Sequence, residues 1–91
     1  MVNMTCYIIT YDLVNDDSDY DILIKEIKTY SKWAHINKST WSIITEDSAK
    51  EIRDNLKKKV NSEDRLFVIK SGVEAAWSNA MCKTQWLKDN L

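Results

Sequence analysis

The chain has 91 residues, with 13 Lys and Arg set against 14 Asp and Glu for a net charge of −1. That length supports one domain, residues 1–91, and the charge balance lacks the cationic excess with which a duplex-binding protein neutralises phosphates. One Gly (Gly72) and no Pro exclude glycine-rich phosphate loops and flexible linkers.

Residues 4–10 (Met-Thr-Cys-Tyr-Ile-Ile-Thr) are rich in β-formers and apolar on both alternating faces, the pattern of a central strand covered on two sides. Tyr11-Asp12-Leu13 is expected to end it. An acidic turn follows, in which Ser18 and Asp21 have the spacing of a capping box. Tyr20, Leu23, Ile24, Ile27 and Tyr30 then recur at helical spacing. Residues 33–37 and 39–45 read as two strands joined by a tight hairpin or bulge at Asn37-Lys38-Ser39. Asp47 or Ser48 caps a second helix, with Glu51 completing a Ser-x-x-Glu box and Ala49, Ile52, Leu56 and Val60 as its buried stripe. Residues 65–70 form the last clear strand. Beyond Gly72, the spacing of Trp77, Ala80, Met81, Thr84 and Trp86-Leu87 suits a helical tail, with a short strand near 75–77 as the alternative.

The order βαββαβ predicts an α+β, ferredoxin-like domain: a four-stranded antiparallel sheet, two helices on one face and a short C-terminal helix. The second sheet face is expected to be left open and is too apolar for solvent, which predicts a homodimer. The N-terminus carries neither a basic region nor a long apolar run, so no secretory signal or membrane span is expected. Cys6 and Cys82 are then expected to be reduced, in a cytoplasmic protein.

Several motifs resemble a known family. Tyr-Ile-Ile-Thr-Tyr-Asp-Leu at 7–13 resembles the first strand of the CRISPR-associated small integration subunit. Trp33-Ala34-His35, Ser39-Thr40-Trp41, the run 48–56 (Ser-Ala-Lys-Glu-Ile-Arg-Asp-Asn-Leu) and the tail 85–91 are similar to its SinR-like offshoot. The resemblance implies a ferredoxin-like homodimer. It also implies a role for Asp12 in metal-dependent nuclease activity, with a divalent metal shared between subunits. The chain departs from that family in lacking its arginine-rich character.

Read from the residues, Asp12 at a strand end either caps the next turn or, with its copy across a dimer, holds Mg²⁺. Asp16, Asp17, Asp19 and Asp21 lack the central Gly and closing Glu of a calcium loop. His35, the one histidine, has no second ligand at zinc spacing. Beside Trp33 and Trp41 it suits hydrogen bonding to a ligand, or a backbone partner inside the fold. Four tryptophans offer rings for stacking or for packing. Lys50, Arg53, Lys57, Lys58 and Lys59 give the second helix a basic face, either solvated or touching phosphate.

Three functional readings follow. In the first, a homodimer binds a nucleotide-like small molecule near its seam through Tyr11, Trp33, His35, Ser39 and Trp41. The Lys- and Asn-rich composition suits a phage protein in the host cytoplasm, where capturing an immune-signalling nucleotide blocks defence. In the second, Asp12 serves a Mg-dependent nuclease or phosphodiesterase. In the third, a structural dimer binds another protein or a nucleic acid, the latter needing a local basic patch.

Overall fold

The alternation of apolar residues places two different surfaces on the two sides of one sheet. The computed structural model describes residues 4–14, 17–72 and 74–91, with backbone alone for Asp17, Ser18 and Asp19. The strands are β1 (Thr5–Asp12), β2 (Lys32–Asn37), β3 (Thr40–Thr45) and β4 (Arg65–Lys70). The helices are α1 (Asp17–Ile27), α2 (Ala49–Lys57) and α3 (Thr84–Asn90). The fold is α+β, and its antiparallel sheet has the order β2-β3-β1-β4.

On the first face, Tyr7 and Ile9 of β1 lie opposite Ile43 and Trp41 of β3, while Ile9 and Tyr11 lie opposite Val68 and Leu66 of β4. Leu23 and Ile27 of α1 and Ile52 and Leu56 of α2 close over them in one buried cluster. Each such side chain contributes about 1.5–3 kcal/mol by leaving water. The capping box of α2 forms as its sequence requires. Ser48 Oγ accepts from the Glu51 N–H (3.1 Å), and Glu51 Oε1 accepts from the Ser48 N–H (2.9 Å). Ile52 and Leu56, one turn apart, then face the sheet together.

Three local expectations shift, and a fourth lies outside the described residues. β1 runs on to Asp12, because Tyr11 and Asp12 continue the ladder opposite Leu66 and Arg65. α1 stops at Ile27, and Tyr30 reaches the core from the turn that follows. The Ser18–Asp21 capping box rests on a side chain outside the described residues. The tail is helical only from Thr84, with neither helix nor strand at residues 74–83. Asn79 adopts a left-handed conformation there (φ 57°), which interrupts a right-handed helix.

The second face holds the larger correction. Cys6, Ala34, Ser42 and Ile44 alternate with the first set and are buried as well. With α1 and α2 on the other side, the cover comes from the described part of the chain's own C-terminal segment, residues 71–72 and 74–91. Ser71 N–H donates to the Cys6 carbonyl (2.9 Å) and Met81 N–H to that of Ile36 (2.8 Å), pinning this segment at two points. Leu87 of α3 is only 1% exposed. The face expected to stay open for a second subunit is thus largely closed by the tail. What remains is a strip on β4, where Phe67 and Ile69 are 58% and 50% exposed. Ser42 Oγ lies beneath the cover with no hydrogen-bond partner among the described residues, at a cost of about 1–3 kcal/mol.

Leu87→Ala is expected to lower stability by about 2–5 kcal/mol in urea titration, and to raise binding of an apolar dye as the second face opens. A change within about 0.5 kcal/mol would show that the tail is not an integral layer.

Candidate functional site

The β2–β3 hairpin turns at Lys38-Ser39, and its register shifts between His35 and Asn37. The irregularity leaves His35 directly opposite Trp41 and Trp33 opposite Ile43. The His35 and Trp41 rings consequently stack, with centroids 4.0 Å apart and planes 9° from parallel. Trp33 tilts against the same indole at 5.4 Å and 57°. Lys28, just past α1, sets its ammonium 5.2 Å from the Trp33 ring and 5.8 Å from that of Trp41, within cation–π range.

Behind these rings the polar atoms are satisfied. Trp41 Nε1–H donates to the Tyr11 hydroxyl at 2.9 Å, and both residues are buried. The Tyr11 ring lies 5.8 Å from that of Tyr20. Burial pushes the Tyr11 phenol above its ordinary pKa, partly offset by the bond from Trp41. His35 Nε2 lies 3.4 Å from the Lys38 carbonyl, an acceptor that favours a proton on that nitrogen.

In front of the rings is a cleft of about 330 Å³ between the β2 edge and the C-terminal segment. Trp33, Ala34 and His35 form one wall, and Met81, Cys82, Lys83 and Trp86 form the other. Two indoles, an imidazole and an ammonium thus share one concavity, and Trp33, at 38% exposed, is open to it.

Of the residues expected from sequence, Trp33 and His35 line this cleft, while Trp41 and Tyr11 support it from within the core. Ser39 contributes its backbone, accepting the Tyr11 N–H at 3.2 Å. Asp12 is elsewhere: β1 pairs with β4, toward the opposite edge of the sheet from β2. Its carboxylate pairs with Arg65 (3.1 Å), and both side chains are largely exposed. No group of three or more His, Cys, Asp or Glu suited to a metal occurs among the described residues. Trp86 and Lys83 were not among the site residues expected from sequence. The signal for Trp86 was the tryptophan count together with the apolar spacing of the tail; Lys83 carried none. No helix among the described residues is long and apolar enough to cross a membrane.

No family model matches the chain, and neither does any curated protein or solved structure.

Tyr11→Phe removes the acceptor of a buried indole N–H and should cost about 1–3 kcal/mol in urea unfolding. The raised Tyr11 pKa favours the neutral phenol in the folded state. Its contribution is therefore present below the unfolded value of about 10 and is lost as pH rises through the folded one. Wild-type stability should fall across that alkaline window, and less steeply in Tyr11→Phe; identical slopes would refute the assignment.

Proposed function

We propose that this chain is a small binding protein for a nucleotide-like ligand, held in the cleft between the β2 edge and the C-terminal segment. The observation that carries this reading is the convergence of Trp33, His35, Trp86 and Lys83 on one concavity. A nucleobase stacks on an indole with about 1–3 kcal/mol, and an ammonium pairs with phosphate. The core contact between Trp41 and Tyr11 holds the His35 wall in place without help from the ligand, which lowers the ordering cost of binding. A net charge of −1 lacks the cationic excess that a long nucleic acid calls for and does not oppose a small nucleotide-like ligand.

The fold reading attached to this proposal is ferredoxin-like. Its support is the antiparallel order β2-β3-β1-β4 with α1 and α2 packed on one face. Kinship with the SinR-like relatives of the CRISPR-associated small integration subunit, and pairing of two copies, belong to the same proposal. In its most concrete form the protein is a phage-encoded trap for an immune-signalling nucleotide. Catalysis through Asp12 draws no support from the ion pair with Arg65.

Titration with nucleotides and cyclic dinucleotides, followed by Trp fluorescence and melting temperature, tests the proposal. A ligand at 100 times its Kd adds about 2.7 kcal/mol, enough to raise the melting temperature of a domain this size by about 10 °C or more. Trp33→Ala should weaken binding by about tenfold or more. The absence of any shift across the whole panel would refute it.

A further inference from the structure

A second surface, on the far side of the molecule from the aromatic cleft, has a different character. β4 is an edge strand. Its ladder with β1 is fixed in phase by the bond from Ser71 N–H to the Cys6 carbonyl. In an antiparallel ladder the backbone groups alternate in direction. Arg65, Phe67 and Ile69 therefore turn theirs toward β1, while Leu66, Val68 and Lys70 turn N–H and C=O outward from the sheet. No further strand covers that edge among the described residues.

α2 runs beside this open edge, and two adjoining hollows of about 510 and 290 Å³ lie between them. Both are lined by Arg53 and Leu66; Lys57 flanks one and Lys50 the other. Lys50, Arg53 and Lys57 are three and four residues apart, so they share one helix face at axial steps of about 4.5 and 6 Å. All three are exposed. Two carboxylates lie near them. Asp54 pairs with Arg53 at 2.9 Å in an exposed contact, of a kind worth little in water. Asp64 is engaged by the backbone N–H groups of Val14 and Asn61, both at 2.8 Å.

We infer that the β4 edge and the basic face of α2 together form a docking groove for an extended acidic peptide segment of a partner protein, which adds as a fifth strand. Outward N–H and C=O groups at Leu66, Val68 and Lys70 match another peptide backbone, and strand addition supplies affinity through such bonds. Alternate side chains of an added strand project to the same face about 6.6 Å apart. That spacing is close to the Arg53–Lys57 step and within reach of flexible lysines at both ends. Glu or Asp at every second position would therefore meet the three cations, while the intervening side chains turn to the side of Phe67 and Ile69. A nucleic acid would use the cations but leave the strand edge unanswered.

The probe is a short fluorescein-labelled peptide with Glu at alternate positions between Val and Thr, followed by anisotropy against the intact chain. Saturable binding is expected. Combining Lys50→Gln, Arg53→Gln and Lys57→Gln should weaken it about tenfold, since each exposed pair contributes modestly. Melting temperature reports that this variant remains folded. N-methylation of the peptide at alternate amides keeps its charge but removes strand pairing, and should abolish binding. Equal binding of the methylated peptide would overturn the inference, as would failure of the unmethylated peptide to bind at all. Tighter binding of oligo-dT than of the peptide, competed by the peptide, would reassign the groove to nucleic acid. Concentration-dependent dimerisation that blocks the peptide would reassign it to a second copy.

Discussion

The bond from the Trp41 indole to the Tyr11 hydroxyl is the point on which the domain turns. It joins the two central strands inside the helix-covered face, where an unpaired N–H would be costly. It also fixes the plane of the largest fully buried side chain. Around that fixed ring the other aromatics take their places: Tyr20 against Tyr11, and His35 and Trp33 against Trp41. Core and cleft are thus two sides of the same indole. A substitution that loosens the packing loosens the cleft wall with it.

The strands and α2 were legible in the sequence because their signals are local. Ser48 and Glu51 specify a helix start by reciprocal hydrogen bonds within four residues, and the observed helix begins where they put it. Residues 65–69 alternate in burial as a strand with one covered face should. The hairpin irregularity was legible at Asn37-Lys38-Ser39, although the stacking of His35 on Trp41 that it produces depends on register.

What was illegible was long-range. Periodicity shows that Cys6, Ser42 and Ile44 share a face, but not what lies on it. A second subunit and the chain's own tail satisfy the same apolar pattern equally well. The tail gave a weak signal because its grip is one plug, Leu87, and two backbone bonds rather than an amphipathic helix. The cleft was half legible for the same reason. Trp33 and His35 announce themselves by type and proximity in sequence, whereas Trp86 and Lys83 reach them only after the tail has crossed the sheet.

The tail's position makes the two hydrophobic layers unequal in what they require. All four strands and both larger helices precede residue 71. The first hydrophobic layer is therefore built without any residue of the tail. The second depends on the tail, because Cys6, Ala34 and Ile44 sit on the sheet and are roofed by residues beyond position 70. Whenever the tail is undocked, the sheet carries a bare apolar surface beside an unpaired β4 edge, the combination most prone to association with other chains.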